Sequence, residues 1–305
     1  MHGKIFANGF YEERERSMSK GWKKNKIGPV GLIVILIVVL LSAIELPKLW
    51  DDGLAFYAFD VGQGDAFFFR FPDGTHMLVD AGTRKSGRAL VEKLRRLGVR
   101  RIDILVATHP HEDHIGGMTA VIGAFEVGRV WDSGYNHGSG VQRAMLEAIR
   151  EKGIRYGKPR ARFREEVGDV AIEVLGPDAE IAGTASDAND SSLVLRVSYG
   201  DMSFLMMGDA ERAARGRIAP FPPSTVLKVS HHGSRNGTDE RLLREAAPSV
   251  AILSYGRGNA YGHPHREVVE LLEKYGVESF ATADGDIEIR TDGRSYTIEQ
   301  GGDYR

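Results

Sequence analysis

The sequence predicts an α/β protein in which two β-sheets pack face to face, with helices on both outer sides. Short apolar runs separated by Gly, Asp and Pro recur over residues 54–299, as expected for strands and tight turns. Segments with apolar residues at helical spacing lie between these runs. The chain has 305 residues, of which 42% are apolar, enough to bury one large core. Residues 46–305 are therefore predicted to form one α/β sandwich.

The first half of this domain alternates between strands and helices. Strands are predicted over Leu54–Phe59, Ala66–Phe71 and His76–Val79, and the Pro72-Asp73-Gly74 sequence between the last two is typical of a hairpin turn. The pattern then predicts a helix over Gly87–Leu97, a strand over Ile102–Ala107, a helix over Met118–Phe125, a strand over Val127–Asp132 and a helix over Val141–Lys152.

The second half continues the same alternation, without an internal repeat or a low-complexity linker. Strands are predicted over Val170–Leu175, Ser192–Ser198, Ser203–Met207, Val226–Val229 and Val250–Ser254. Helices are predicted over Asp239–Ala246 and His265–Tyr275. Three short strands, Ser279–Ala283, Asp286–Arg290 and Ser295–Glu299, complete the domain.

The first 45 residues have the composition of a membrane anchor. Four lysines within residues 20–26 precede Ile27–Ile44, which has no charged residue. As a helix, this segment is ~27 Å long at ~1.5 Å per residue, close to the thickness of the bilayer's hydrocarbon core. The lysines predict a cytoplasmic basic tail (1–26), a transmembrane signal-anchor helix (27–45) and an extracytoplasmic domain, hence a single-pass cell-membrane protein. A cleaved signal peptide is the alternative, although Leu41 fits a cleavage site poorly.

Composition limits the possible partners and metal ligands. With 40 basic and 42 acidic residues, the chain has no overall attraction for nucleic acid, so a polyanion would need a local basic patch. The sequence has two clusters of basic residues, each of which is either a binding surface for a polyanion or ordinary solvated surface. The first is Lys93, Arg95, Arg96, Arg100 and Arg101, and the second is Arg155, Lys158, Arg160, Arg162 and Arg164. The absence of cysteine excludes thiolate ligands, so any metal would be held by His, Asp and Glu.

A dense group of metal-binding residue types, T-H-P-H-E-D-H (108–114), follows the predicted strand Ile102–Ala107. His109 and His111 are two residues apart, so an extended backbone points both imidazoles the same way. Asp113 and His114 follow where the next helix begins. Three protonated imidazoles in this volume would repel one another, and a divalent cation relieves that repulsion. The run therefore predicts a metal site.

These residues resemble the metallo-β-lactamase-fold hydrolases, whose H-x-H-x-D-H signature is matched by residues 109–114. The resemblance is closest to the extracytoplasmic hydrolase domain of the ComEC family of DNA-uptake channels. Its other motifs are Phe59–Asp65 (F-D-V-G-Q-G-D), Leu78–Gly82 (L-V-D-A-G), Met207–Asp209 (M-G-D), Ser230–Ser234 (S-H-H-G-S) and Tyr261–His265 (Y-G-H-P-H). The resemblance implies an αββα sandwich and a hydrolase with two divalent ions, zinc or manganese. That family's multi-helix channel has no counterpart in this sequence.

The resemblance also assigns metal ligands. It implies that His109 and His111 bind the first ion, that Asp113 and His114 bind the second, that Asp209 bridges both and that His263 is the last ligand of the second ion. Asp80 is expected to orient a ligand histidine. The third ligand of the first ion stays open: many relatives have a histidine where this chain offers Asp187, Asn189 and Asp190, and oxygen ligands would favour manganese.

The expected catalytic residues are Asp113, His231 and His232. The two adjacent histidines either supply a metal ligand or contact the scissile group, and we expect the second role, with one ring protonating the leaving oxygen or contacting a phosphoryl oxygen. Ser234 and Arg235 are expected phosphate contacts. Tyr261 is one of several aromatic residues able to stack on a base.

Two ions ~3.5–4 Å apart make a hydrolytic site by lowering the pKa of a bridging water. The resemblance implies that the bond cleaved is a phosphodiester and that DNA or another phosphodiester is the partner. We therefore expect a membrane-tethered nuclease or phosphodiesterase. Two alternatives remain: a hydrolase of a small envelope-derived ester or lactone, and a non-catalytic metal-binding module for a partner protein.

Overall fold

The computed structural model describes residues 53–218 and 220–301, whose strands form two sheets. The first sheet has the order β15-β14-β1-β2-β3-β4-β5-β6, with β1 Leu54–Ala58, β2 Phe67–Arg70, β3 His76–Val79, β4 Arg101–Ala107, β5 Glu126–Asp132, β6 Arg155–Gly157, β14 Ile287–Thr291 and β15 Tyr296–Gln300. The second has the order β13-β12-β11-β10-β9-β8-β7, with β7 Arg164–Val167, β8 Val170–Gly176, β9 Val194–Tyr199, β10 Met202–Met206, β11 Val226–Lys228, β12 Val250–Leu253 and β13 Glu278–Ala281.

Helices cover the outer faces of these sheets. Their bounds are α1 Gly87–Arg96, α2 Glu112–Ile115, α3 Met118–Ala124, α4 Gly140–Glu151, α5 Asp187–Asp190, α6 Arg212–Arg217, α7 Glu240–Ala246 and α8 Arg266–Lys274, with 3₁₀ turns at Ser230–Gly233 and Thr282–Asp284. Asp239 begins α7 because its side chain accepts a hydrogen bond from Leu242 N, the usual role of an N-cap aspartate.

Both faces of the central strands are buried, which explains their nearly continuous apolar sequences. In β1, Phe56 belongs to the core between the two sheets, whereas Tyr57 packs with the helices outside the first sheet. Leu90 of α1 belongs to that outer core, and Leu242 of α7 belongs to the matching core outside the second sheet. Four layers result, so the predicted αββα sandwich is confirmed.

The prediction was incomplete in the charged segment after α4. Residues 155–164 contain one of the basic clusters, for which no strand was predicted, yet they include β6 and the start of β7. Both strands lie at sheet edges. Charged side chains are tolerated there because an edge strand exposes one side to water.

The sheets bring the sequence motifs to one end of the sandwich. Strands β3, β4 and β5 run parallel, as do β10, β11 and β12. The segments that follow β3, β4, β10 and β11 carry Asp80, His109, Asp209 and His231 respectively. Loops at the carboxyl ends of parallel strands meet at one sheet edge and commonly build ligand sites.

Within the described residues, no helix has both the length and the hydropathy needed to cross a bilayer. The predicted anchor Ile27–Ile44 and the basic tail 1–26 lie outside the described residues. Both remain predictions.

Candidate metal centre

The first group of ligand-type atoms comes from the loop after β4. His109 is fully buried, and its Nε2 lies 3.0 Å from Nδ1 of His111. The same His109 nitrogen is 3.8 Å from Oδ2 of Asp209, which follows β10 in the opposite sheet. The strand ends therefore bring two imidazoles and one carboxylate together from distant parts of the chain.

The second group shares the same oxygen of Asp209. His114 Nε2 lies 3.2 Å from Asp209 Oδ2, and His232 Nε2 lies 3.4 Å from it. Asp113 Oδ2 is 3.3 Å from His232 Nε2 and 4.0 Å from His114 Nε2. Two imidazoles and two carboxylates thus point at one small volume.

The histidines of the second group are oriented from behind. His114 Nδ1 lies 2.8 Å from Asp80 Oδ2, and Asp80 also accepts hydrogen bonds from the backbone amide and the hydroxyl of Thr108. His232 Nδ1 donates to the carbonyl of Ser254 at 2.8 Å. With Nδ1 as the donor in both rings, Nε2 is the nitrogen left to bind a metal once it has lost its own proton. Asp80 lies where the sequence predicted an orienting carboxylate.

His231 and His232 reach the cluster through unusual backbone. Their φ angles are 48° and 56°, in the left-handed region, which costs on the order of 1–2 kcal/mol per residue for a non-glycine. The result is that His231 Nε2 lies 3.7 Å from Asp209 Oδ2. Backbone strain of this kind is concentrated at functional sites, where it aims side chains.

His231 is held by a carboxylate that the sequence analysis overlooked. Glu211 Oε1 lies 2.8 Å from His231 Nδ1 and accepts a hydrogen bond from Asn189 Nδ2 at 3.0 Å. Asn189, predicted as a metal ligand candidate, therefore supports Glu211 in the structure. The His231 bond lowers the pKa of Glu211 and keeps it charged.

The donor set fits divalent cations. Nε2 of His114 and Nε2 of His232 are both buried without a hydrogen-bond partner. Asp65, His114, Asp209 and His232 each offer a ligand-type atom, and these atoms lie within 4.8 Å of one another. Buried nitrogen atoms with no partner are costly unless something binds them. A divalent cation would bind these two nitrogen atoms and would also offset the negative charge of the nearby carboxylates.

Proton affinities in the cluster follow the charges around each ring. Burial lowers the pKa of His114, but Asp209, Asp80 and the neighbouring carboxylates outweigh it and raise that pKa well above its usual value. Asp209 and Asp65 likewise raise the pKa of His232 against its burial. By contrast, burial and the adjacent His114 hold the pKa of His109 well below its usual value. The surrounding charges therefore favour protonation of the second group's imidazoles and oppose protonation of His109.

This charge pattern predicts that metal binding releases protons. The raised pKa values of His114 and His232 favour the protonated imidazoles, and a protonated ring must lose its Nε2 proton to bind a cation. Mn²⁺ affinity should therefore fall as pH falls. Isothermal titration of the chelator-treated chain in two buffers of different ionisation enthalpy should give different heats; equal heats would contradict proton release.

A cleft of about 330 Å³ opens over the cluster. Its lining residues are Gln63, His111, Glu112, Asp113, Asp209, His231, His232, Tyr261 and His263. Both ligand groups are therefore reachable from solvent through one opening. Tyr261 is 66% exposed at the cleft and stacks on His263, with ring centroids 5.6 Å apart and planes inclined by 20°.

His263 lies in the wall of this cleft, beside the predicted ligands. Its ring centroid is 5.5 Å from that of His231 and 6.2 Å from that of His232. Among the described residues, no carboxylate forms an ion pair with it, in contrast to His231 and His232. Burial and the surrounding histidines lower the pKa of His263 to about 4, so its imidazole is neutral at pH 7.

Several predicted site residues serve local structure instead. The carboxylate of Asp187 accepts hydrogen bonds from Gly183 N and Thr184 N, and Asp190 Oδ1 accepts from Ala214 N. Neither carboxylate contacts a cluster histidine within the described part of the chain. Ser234 Oγ accepts from Asn236 N, and Arg235 pairs with Glu267 at 3.5 Å. Neither lines the cleft.

The structure adds two buried charged residues to the cluster, Asp65 and Lys228. Lys228 Nζ lies 2.6 Å from Asp65 Oδ2. Gly64 places Asp65, because its φ is 136° and a Cβ there would lie 2.2 Å from the carbonyl oxygen of Asp113. The signal for Lys228 was a single lysine inside the apolar run Val226–Val229. Asp65 ended the D-V-G-Q-G-D motif but had been given no role.

The sequence is similar to those of several curated proteins. Curated relatives include "ComE operon protein 3" of Bacillus subtilis, 29% identical over 78% of this chain, "Competence protein ComA" of Neisseria gonorrhoeae, 30% identical over 76%, and "Recombination protein 2" of Haemophilus influenzae, 30% identical over 80%. The aligned regions cover 33%, 31% and 29% of those proteins, so this chain matches about a third of their length.

The fold also matches a solved structure of different sequence. CmlA, a diiron β-hydroxylase from Streptomyces venezuelae, has a TM-score of 0.54 and 15% identity, covering 79% of this chain and 54% of CmlA. The family model described as "Metallo-beta-lactamase superfamily" matches residues 59–257, which include strands of both sheets and the ligand-type residues from His109 to His232. The chain therefore belongs to the metallo-β-lactamase superfamily, generally metal-dependent hydrolases, as the H-x-H-x-D-H motif predicted.

Proposed function

We propose that this chain is a phosphodiester hydrolase that depends on two divalent ions and acts on DNA or a related phosphodiester outside the cytoplasm, anchored through Ile27–Ile44. The observation that carries the proposal is the sharing of Asp209 Oδ2 by two groups of histidines beneath one open cleft. A shared carboxylate between adjacent ligand groups is what a two-metal hydrolytic centre requires. A module that only binds a partner has no need for an open cleft over it.

The geometry supports ligand roles that differ in two places from those implied by the resemblance. We assign His109, His111 and His231 to the first ion, Asp113, His114 and His232 to the second, and Asp209 to both. His231 replaces Asp187, Asn189 and Asp190 as the third ligand of the first ion. His232 replaces His263 at the second. With three histidines assigned to the first ion and two to the second, the first site is not the oxygen-rich site that would favour manganese over zinc.

When bound, two divalent ions would supply an activated water and offset the charge that develops on the substrate oxygens. The protein's own residues orient that chemistry. Asp80 and the Ser254 carbonyl fix the tautomers of His114 and His232, and Glu211 fixes the ring of His231. His263, neutral and in the cleft wall, donates a hydrogen bond to the leaving-group oxygen.

The charge of the cleft favours a diester over a monoester. The described lining residues include three carboxylates, Glu112, Asp113 and Asp209, but no lysine or arginine. A phosphate monoester carries about two negative charges near pH 7, and proteins usually bind it through lysine or arginine side chains. A diester carries one negative charge, which two divalent ions would balance without a lysine or arginine.

The surroundings support a flexible, single-stranded substrate. In the first basic cluster, Lys93 pairs with Asp286, Arg95 with Glu92, and Arg101 with Asp103 and Glu126. These pairs reduce the positive potential that gripping a duplex requires. An exposed aromatic ring such as Tyr261 instead suits a strand whose bases are free to stack. The names of two curated relatives, which refer to competence and to recombination, support DNA as the polymer.

A substrate panel tests this proposal. The full-length chain, purified in detergent and loaded with Mn²⁺ or Zn²⁺, should hydrolyse bis-p-nitrophenyl phosphate and single-stranded DNA. Hydrolysis of p-nitrophenyl phosphate, a lactone or a β-lactam should be much slower. Faster opening of the lactone would instead support a hydrolase of small envelope-derived esters. Binding of two ions with no turnover of any substrate would support the non-catalytic module.

Tyr261→Ala should weaken binding of DNA specifically. Stacking of a base on an aromatic ring contributes ~1–3 kcal/mol, so KM for single-stranded DNA should rise roughly 5- to 150-fold. Hydrolysis of bis-p-nitrophenyl phosphate at saturation should stay near the parent rate, and Tyr261→Phe, which keeps the ring, should behave like the parent. Equal losses on both substrates would rule out base stacking.

A further inference from the structure

A fully buried lysine lies between the two sheets' site loops. Lys228, the last residue of β11, is 0% exposed. Its Nζ donates to the carbonyl of Gly208 at 2.7 Å and lies 3.4 Å from Asp209 Oδ1 and 2.6 Å from Asp65 Oδ2. A charge is rarely buried unless it is paired, so these contacts explain why it is tolerated there. They join the lysine to the carboxylate shared by both ligand groups.

Asp65 faces the cluster from behind, which argues against a role as metal ligand. It lies near Nδ1 of His114 at 3.6 Å and near Nδ1 of His232 at 3.3 Å. Those are the nitrogens on the far side of each ring from Asp209, which faces Nε2 of both. The carboxylate therefore lies on the opposite side of the two rings from the volume where the ligand atoms converge. Its close charged partner is Lys228.

The two oxygens of Asp209 have separate partners. Oδ1 is the atom near Lys228, whereas Oδ2 is the atom that faces His109, His114, His231 and His232. The Asp209 backbone amide donates to Ser192 Oγ at 3.1 Å, a bond that holds the main chain and does not involve the carboxylate. Lys228 is thus the described side chain that holds Oδ1 away from the cleft.

We infer that Lys228 is a positioning residue, held by Asp65, that orients Asp209 so that Oδ2 alone is presented to both ions. The inference rests on the proposed metal centre and extends it to a residue that touches neither substrate nor the cleft. A different role, simple neutralisation of Asp65, predicts another outcome. If the lysine only balances charge, removing both charges together should leave metal binding unchanged.

The double variant Asp65→Asn/Lys228→Met separates these roles, because it removes the pair without leaving an unpaired buried charge. We expect its metal-free form to melt close to the parent and its affinity for Mn²⁺ to fall at least about tenfold, as when a residue that orients a metal ligand is lost. Calorimetry on the full-length chain in detergent measures affinity and stoichiometry. The visible absorption of bound Co²⁺ reports the changed ligand geometry.

Lys93→Met is the matched control, because Lys93 Nζ also pairs with an aspartate at 2.6 Å, on Asp286, outside the cluster. Its Mn²⁺ affinity should equal that of the parent. Asp65→Asn alone keeps the lysine beside Asp209 and should lose less affinity than the double variant. Parent-like Mn²⁺ binding by the double variant, or an equal loss in Asp65→Asn alone, would overturn the inference. Failure of the parent to bind two ions would instead count against the proposed function.

Discussion

Asp209→Asn is expected to abolish hydrolysis and to lower the number of bound metal ions. The substitution keeps the shape of the side chain but removes the negative charge that both ligand groups share through Oδ2. Losing one preorganised electrostatic group lowers turnover by roughly 10²–10³-fold, and Asp209 serves two ions, so we expect a loss of at least ~10³-fold. Hydrolysis of bis-p-nitrophenyl phosphate and metal analysis of the same preparation measure both effects.

The control for this variant is Asp187→Asn, which removes a carboxylate charge from a residue whose hydrogen bonds are to Gly183 and Thr184. It should retain parent activity and metal content. Asp113→Ala, which removes a ligand from the second group only, should also abolish hydrolysis while leaving the fold intact. Activity near that of the parent in Asp209→Asn or in Asp113→Ala would refute the two-metal mechanism.

Substitution of His232 and of His263 should have different effects on metal content. His232→Ala should lower activity and bound metal together, because Nε2 of His232 faces both Asp113 and Asp209. His263→Ala should lower kcat by about 10²-fold, the effect of losing one hydrogen-bond donor to the transition state, while both ions stay bound. Single-turnover hydrolysis and metal analysis of each variant distinguish the two roles.

The reverse result would restore the roles implied by the resemblance. If His263→Ala loses an ion and His232→Ala keeps both, His263 is the ligand and His232 acts on the scissile group. His265→Ala provides a nearby control, since His265 Nδ1 accepts from the Arg235 amide and does not line the cleft. Its activity and metal content should match those of the parent.

Local sequence was sufficient for most of the fold. β3 has the predicted bounds His76–Val79, and α1 ends within one residue of the predicted Leu97. These elements bury apolar residues at strand or helix spacing, a pattern that is visible without the fold. The strands β6 and β7 were not predicted. Their residues are largely charged, which suits a strand only at the edge of a sheet, and the sequence does not show which segments form the edges.

Part of the site was also predictable, because several of its residues are close together along the chain. His109, His111, Asp113 and His114 lie within six residues, so their convergence follows from local backbone geometry. The roles of His231 and His263 depend on distances across the sandwich. Glu211 had no signal in the sequence, since a single glutamate after a turn gives no indication that it lies 2.8 Å from a histidine twenty residues later.

The sequence by itself determined the α/β sandwich, the superfamily and the H-x-H-x-D-H cluster, because each depends on residues that are close along the chain. Tertiary structure alone decided that His231 and His232 both turn toward Asp209, and that Lys228 lies buried behind Asp209 with Asp65. Those facts depend on how the carboxyl ends of β4, β10 and β11 meet and on left-handed backbone at two histidines. Spacing along the chain does not encode such distances, which arise only when two separately predicted sheets pack together.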